Sequence, residues 1–255
     1  MSLSAVVGFI RAMIVYRWRP LKRRRLVRFY AQLIRPGDTV FDVGALVGGR
    51  TIVFHRLGAR VIAFEPQPGR AAQLQRLAQR LAATPHTVRP PVVVQAALAD
   101  RSGTTLLHPA PRNPSLATIS DSWAAQAPTR DGFERTRFGT PVTVETQTLD
   151  WAIASYGMPA FVKIDVEGAE DRVIAGLSHP VSCLSFEALA PNAAVALRAF
   201  DAVTALGRYE FALSAGESLQ LGGWSAAERA RVQLADRLQA GWSGDVYARR
   251  LAPQE

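Results

Sequence analysis

Cysteine occurs once in the 255-residue chain, at Cys183. That excludes an intramolecular disulfide and a cysteine-based metal cluster, and a reducing, cytoplasmic setting is expected. Lysine is nearly as scarce: Lys22 and Lys163 are two of 30 basic residues, and the other 28 are arginine. Acidic residues are missing altogether before Asp38, whereas nine basic ones fall there (Arg11, Arg17, Arg19, Lys22, Arg23, Arg24, Arg25, Arg28 and Arg35). The remaining 21 basic residues equal the 21 acidic ones, so the formal charge of +9 belongs to the N-terminal segment and the rest is neutral. That neutrality, with no RNA-binding motif, argues against a nucleic-acid partner. No run reaches the about 20 apolar residues that a membrane helix needs. Leu3 to Tyr16 is mostly apolar but is interrupted by Arg11, and its charge follows the apolar stretch where a signal peptide's would precede it. Residues 1–37 read as a basic, amphipathic helical segment, which allows residues 1–30 a peripheral contact with an anionic membrane. The G-x-G-x-x-G of dinucleotide folds is also lacking.

What is present is the patterning of an α/β domain over residues 38–255, a length one such domain can fill. Apolar runs of strand length alternate with stretches of helical period, which predicts a doubly wound, mostly parallel sheet with crossover helices. The expected strands are Thr39 to Val43, Arg60 to Glu65, Val92 to Ala97, Phe161 to Val166, Val181 to Phe186, Tyr209 to Leu213 and Asp245 to Arg249, with Pro141 to Thr148 as an edge strand. Helices are expected after the Gly44 to Gly49 loop, over Gly69 to Ala82, Leu149 to Tyr156, Gly168 to Leu177, Ala193 to Leu206 and Ser225 to Gln239. Between Thr104 and Thr140 the chain is rich in Pro, Ser, Thr and Arg and has no strong period. It reads as a hairpin and a partly mobile loop, a lid-like insertion after the third strand.

Three constellations carry chemistry. In VFDVGALVGGRT, Val40 to Thr51, an acid near the end of a buried strand precedes a glycine loop that opens a helix. Glycine lets a ligand approach the backbone, and ligands of open α/β sheets sit beyond the carboxyl ends of the strands. The spacing Gly44-x-x-x-Gly48-Gly49, with Asp42 two residues earlier, suits a cofactor with a cationic amino-acid tail better than a diphosphate. Glu65 ends the second strand 21 residues after Gly44, where a carboxylate can accept hydrogen bonds from both hydroxyls of a ribose. In KIDVEGAE, Lys163 to Glu170, strand alternation puts Lys163, Asp165 and Glu167 on one face, an expensive burial without a purpose. The plainer reading of Glu167 is a helix cap.

The segments VFDVGALVGGRT, AFEPQPG, QAALADRSG, TLDWAI and VKIDVEGAEDRVIAGL resemble, in order and spacing, the FkbM family of S-adenosylmethionine-dependent methyltransferases, over about Asp38 to Glu187. Leu46 stands where that family often has Asn. The resemblance implies a seven-stranded, Rossmann-like class I methyltransferase fold. It implies O-methylation of a hydroxyl on a small acceptor such as a sugar, a natural product or a lipid-linked molecule. Cofactor contacts are then expected from Asp42, Gly44, Ala45, Gly48, Glu65 and Pro66, with Ala97 beside the adenine and Asp165 beside the reactive group.

A hydroxyl acceptor needs its proton removed, by a carboxylate, a histidine or a metal that lowers its pKa. Asp165 is the first candidate as base or metal ligand, Glu187 at the end of SCLSFE the second, and His108 in the lid the histidine to test. His55 is expected on the first crossover helix, away from the site, and His86 and His179 at the surface. Asp165, Glu167 and Glu187 are oxygen ligands that Mg²⁺ accepts, but no spacing fixes a metal site, and none is assigned. The segment Asn113 to Ile119 is read either as an acceptor-pocket wall or as a plain hairpin, and Trp123, Phe133 and Phe138 either as a gate or as a satellite cluster. Cys183 is expected in a buried strand. Two other functions compete: a nucleotide-dependent oxidoreductase, and a membrane-surface module using the basic N-terminus. The acceptor's identity and the oligomeric state are not legible in the chain.

Overall fold

The structure is a computed structural model that describes residues 20–83, 89–130 and 132–252. The apolar segment from Leu3 to Tyr16 and His86 lie outside the described residues. The first described helix, α1 (Pro20–Tyr30), carries Leu26, Phe29 and Tyr30 at helical spacing and buries all three. Tyr30 meets Phe54 edge-on at 4.9 Å, and Phe29 meets Tyr247 at 5.4 Å, which fixes α1 across one face of the main sheet. Arg24, Arg25 and Arg28 stay exposed. No helix among the described residues is long and apolar enough to cross a membrane.

The turn Pro36-Gly37-Asp38 leads into β1 (Thr39–Val43); Gly37 takes φ +91 and Asp38 accepts from the Arg35 N–H at 2.7 Å. Then follow α2 (Gly49–Arg56), β2 (Arg60–Phe64), α3 (Pro68–Ala82) and β3 (Val92–Val94). After the lid region come α5 (Leu149–Tyr156), β7 (Phe161–Ile164), α6 (Glu170–Ala175), β8 (Cys183–Ala188), α7 (Ala193–Leu206), β9 (Tyr209–Ala215), β10 (Ser225–Ala226), α8 (Ala227–Gln239) and β11 (Gly244–Arg250). The lid region itself holds β4 (Ala97–Leu98), β5 (Gly103–Leu107), a 3₁₀ turn at Pro114–Leu116, α4 (Asp121–Gln126) and β6 (Val142–Gln147).

The main sheet runs β10-β9-β11-β8-β7-β1-β2-β3, with β3, β2, β1, β7 and β8 parallel; β11 runs antiparallel to both β8 and β9, so β9 shares their direction, and β10 is antiparallel to β9. This is the doubly wound arrangement expected, with eight strands where seven were expected. The addition is β10, a two-residue strand that the periodicity absorbs into the following helix. The central strands are buried on both faces. Phe41, Val43, Ile62, Phe64, Val162, Ile164, Leu184 and Phe186 join one core with α7 and α8, and Val40, Val61, Phe161, Cys183 and Tyr247 join another with α1 and α2. Cys183 is buried as expected, and burial pushes its thiol up to about 12.

Three expectations are corrected. Val92 to Ala97 is not one strand: β3 stops at Val94, and Ala97–Leu98 pairs instead with β6. Pro141 to Thr148 does not edge the main sheet; β6 is the centre of a separate three-stranded sheet between β4 and β5. The helix expected from Gly168 begins only at Glu170, because Glu167 (φ +57) and Gly168 (φ +94) form a left-handed turn first. The lid region, read as a hairpin and loop, also contains α4. Its N-terminus is capped by Ser120 Oγ, which accepts from the Trp123 N–H at 3.2 Å, and it buries Trp123.

Candidate active site

Strand alternation sends every second residue of β1, β7, β8 and β11 to the α1/α2 face. Toward the carboxyl ends of the parallel strands those positions turn from apolar to polar: Val40 gives way to Asp42, Phe161 to Lys163, and Cys183 to Ser185 and Glu187, while antiparallel β11 enters with Asp245 before Tyr247. The sheet register sets Asp42 beside Lys163, Lys163 beside Ser185, and Glu187 beside Asp245. A charged row therefore crosses the sheet at the end where ligands of such folds bind.

The glycine loop is held tightly against its neighbours. The N–H groups of Gly44 and Ala45 both donate to Phe64 O at 3.0 Å, and the Asp165 N–H donates to Val43 O at 3.0 Å. A Cβ at Gly44 (φ +82) would fall 1.8 Å from the Asp165 carbonyl oxygen, so only glycine lets this loop close on the end of β7. At Gly48 (φ +80) a Cβ would strike Leu74 and Leu77 of α3 at 2.8 and 2.5 Å. Asp42 is 2% exposed and accepts from Thr51 Oγ at 2.6 Å; burial raises its pKa against that hydrogen bond and the charge of Lys163.

Two adjoining cavities open here. The first has Glu65, Pro66, Ala97 and Asp165 in its wall among apolar Val43, Phe64, Leu98, Leu107 and Ile119. The second, the roomier of the two, is lined by the loop from Gly44 to Val47, by Arg50, and by Lys163, Asp165, Glu167, Glu187 and Asp245. Gly44, Leu46, Ser115 and Asp165 border both, so the two form one crevice. Glu65 Oε2 accepts from the Leu46 N–H and Oε1 from the Gln67 N–H, each at 2.9 Å, which aims the carboxyl along the first cavity. Burial pushes Glu65 up to about 7, although those two donors pull the other way.

In the second cavity Lys163, 1% exposed, places Nζ 2.9 Å from Asp165 Oδ2 and 3.6 Å from Asp245 Oδ1. Burial would raise Asp165, but the Lys163 ammonium overrides it and holds the carboxyl below its ordinary range. Burial and the neighbouring carboxylates drive Glu167 and Glu187 well above theirs. Oxygens of Asp165, Glu167 and Glu187 lie within 4.8 Å of one another. Such a trio can share a proton, accept one from a ligand, or hold a divalent cation. Glu187 Oε2 has no hydrogen-bond partner among the described residues. Glu170, buried at the start of α6, takes the N–H groups of Val166 and Gly168 at 3.0–3.2 Å and so shapes the turn that carries Glu167; burial pushes it up to about 7.

The structure thus brings Gly44, Ala45, Glu65, Pro66, Ala97, Asp165 and Glu187 to one crevice. Asp42 and Gly48 line neither cavity and support the loop from behind. His108 is not brought to the carboxylates: it lines neither cavity, and its Nε2 lies 2.6 Å from Asp121 Oδ1. His55 is buried on α2 with no hydrogen-bond partner among the described residues, and His179 is exposed. Pro114, Ser115, Ala117 and Ile119 wall the first cavity, so the segment from Asn113 is more than a hairpin. Trp123, Phe133 and Phe138 line neither cavity; Trp123 packs on Phe133 and under Gly168. Among the wall residues that escaped the sequence reading as site members are Arg50, Gln67 and Asp245. An acid opening the otherwise apolar DVYA strand was the available signal for Asp245.

A curated relative, 31-O-demethyl-FK506 methyltransferase FkbM of Streptomyces tacrolimicus, is 35% identical over 164 residues, covering 56% of this chain. The match spans about 61% of that relative's own length. Solved structures with a similar course include an O-methyltransferase from Bacillus cereus in complex with SAH (13% identity, 98% of this chain and 92% of that one, TM-score 0.49). Another is a magnesium protoporphyrin IX methyltransferase from Synechocystis PCC 6803 with bound SAM (14% identity, 91% and 78%, TM-score 0.44). The profile of the methyltransferase FkbM domain matches residues 42–197, from the buried acid of β1 to the middle of α7. That stretch is more than half of the chain and holds most of the crevice, and the chain belongs to the FkbM methyltransferase family.

Proposed function

We propose that the protein transfers a methyl group from S-adenosylmethionine to a hydroxyl of a small acceptor, a sugar, natural product or lipid-linked molecule. The observation that carries this reading is the continuous crevice, with Glu65 in one half, three carboxylates in the other and Gly44 and Asp165 on the shared wall. The first cavity fits a nucleoside: its apolar walls suit a flat heteroaromatic base, and Glu65 retains lone pairs for ribose hydroxyls. When bound, the cofactor supplies an electrophilic methyl on a sulfonium.

The chain's own residues align the acceptor and take its proton. Glu187 is the base in this reading, since it has an unpartnered oxygen and its raised pKa gives it more basicity than an ordinary carboxylate. Asp165, kept ionised by Lys163, accepts a hydrogen bond that orients the hydroxyl. With the cofactor held there, it would supply its methyl to the acceptor oxygen, and Glu187 would take the hydroxyl proton. O-methylation is also the activity named in the curated relative, 31-O-demethyl-FK506 methyltransferase.

The test is a methyl-release assay over a panel of hydroxylated acceptors, with and without EDTA. Turnover that persists in EDTA supports the proton-acceptor reading. The approach of the three carboxylates to within 4.8 Å favours one second reading, in which a divalent cation bound there lowers the hydroxyl's pKa. Turnover lost in EDTA and restored by Mg²⁺ would select it. A peripheral membrane contact through exposed Arg24, Arg25 and Arg28 is a separate proposal, tested by salt-reversible association with anionic vesicles.

A further inference from the structure

Asp42 was the expected partner of the cofactor's amino-acid tail, but it is buried, engaged by Thr51 and absent from both cavity walls. Another group must meet that end. Arg50, in the first turn of α2, lines the second cavity directly after the glycine loop. Its Nε is buried with no hydrogen-bond partner among the described residues. Its guanidinium carbon sits 5.9 Å from the centre of the Tyr30 ring, at the outer limit of a cation–π contact, so α1 backs the side chain without satisfying it. An unpaired buried donor costs about 1–3 kcal/mol, more when charged; Asp245 and Asp165 act on the Arg50 charge but leave Nε without an acceptor, which a carboxylate in the cavity would supply. A guanidinium fork matches a carboxylate with two parallel hydrogen bonds.

We propose that Arg50 anchors the carboxylate at the amino-acid end of S-adenosylmethionine. The proposal rests on the cofactor reading above and adds a residue to it. With a ribose at Glu65 and the sulfonium near the shared wall of Gly44 and Asp165, the tail runs on along the loop to Arg50. The nearby cation Lys163 does not compete, because Asp165 and Asp245 already engage its ammonium. The remaining charged wall, Asp165, Glu167, Glu187 and Asp245, is acidic; it suits the ammonium on the same carbon and disfavours an anionic acceptor.

The experiment is calorimetric titration with S-adenosylhomocysteine and with 5′-methylthioadenosine, which keeps the nucleoside and thioether but lacks the amino-acid end. Arg50→Met should weaken S-adenosylhomocysteine about tenfold or more and leave 5′-methylthioadenosine within about twofold. Arg50→Lys should recover part of the loss, because charge survives but the fork does not. A thermal melt of each variant checks folding. Should Arg50→Met not fold, Arg50→Lys must still lose S-adenosylhomocysteine affinity selectively. Equal loss of both nucleosides, or unchanged S-adenosylhomocysteine affinity, overturns the assignment. A rise confined to the acceptor's KM also overturns it and places Arg50 at the acceptor. Failure of the wild-type protein to bind either nucleoside removes the cofactor reading itself, and the anchor with it.

Discussion

Lys163 Nζ stands 2.9 Å from Asp165 Oδ2 on one side and 3.6 Å from Asp245 Oδ1 on the other, with its side chain 2% exposed. Burial alone would neutralise such a lysine, but the two carboxylates hold its pKa above the ordinary value. Removing the ammonium leaves two acids facing each other across β7, β8 and β11. Lys163→Met should destabilise the fold by about 3 kcal/mol, the low end for a buried pair because Asp165 keeps about a third of its side chain in solvent. A urea titration measures this. A loss below about 1 kcal/mol would mean that solvent already screens the pair.

Glu65 ties cofactor affinity to pH. Its carboxyl is raised to about 7 in the free protein, and only the ionised form offers acceptors to both ribose hydroxyls. Affinity for S-adenosylhomocysteine should therefore rise as pH increases through about 7 and then level off. Glu65→Ala should weaken binding and flatten the profile. An unchanged affinity in Glu65→Ala would show that the ribose lies elsewhere.

Glu170 gives a dependence of opposite sign in stability. Its pKa is about 7 in the fold against 4.5 unfolded, so the unfolded chain loses this proton first as pH rises. The stabilisation is fully present below pH 4.5 and is lost as pH rises through about 7. Melting temperature of the ligand-free protein should fall across that window, and Glu170→Gln should reduce the fall. A melting temperature that climbs steadily from pH 5 to 8, with Glu170→Gln showing the same slope, would contradict the assignment.

Glu187→Gln separates chemistry from binding. Loss of a general base commonly costs about 10²–10⁴-fold, so kcat should drop at least about a hundredfold while S-adenosylhomocysteine affinity holds. In the wild type the acidic limb of kcat/KM should lie well above the ordinary carboxylate value of 4.5. Activity within a few fold of wild type would move the base to Glu167 or favour the divalent-cation reading.

Much of the fold and of the crevice is legible in the sequence, for definite reasons. The central strands are short apolar runs ending in Asp42, Glu65 and Asp165, and the loop glycines sit where backbones approach, so motif and fold reinforced each other. The second sheet was not legible, because β4 has two residues and pairs with β6 across about fifty positions. Asp245 stands out as an acid opening the otherwise apolar DVYA strand, but it joins the site only because β11 inserts antiparallel between β8 and β9, a long-range pairing that this local mark does not reveal. Arg50 was one arginine among 28, and it acquired meaning only when α1 was found to cover its helix while the cavity left its Nε unpartnered. Lys163, Asp165 and Glu167 line one cavity as strand alternation suggests, although a left-handed turn at Glu167, not a continuing strand, brings the last of them in.

The central claim is that the crevice beside Glu65 takes S-adenosylmethionine, and parallel calorimetric titrations of the wild-type protein with S-adenosylhomocysteine and with NAD test it most directly. Saturable one-to-one heat with S-adenosylhomocysteine, weakened by Glu65→Ala, and none with NAD, is the predicted result. Binding of NAD with no response to S-adenosylhomocysteine would contradict it and return the chain to the oxidoreductase reading.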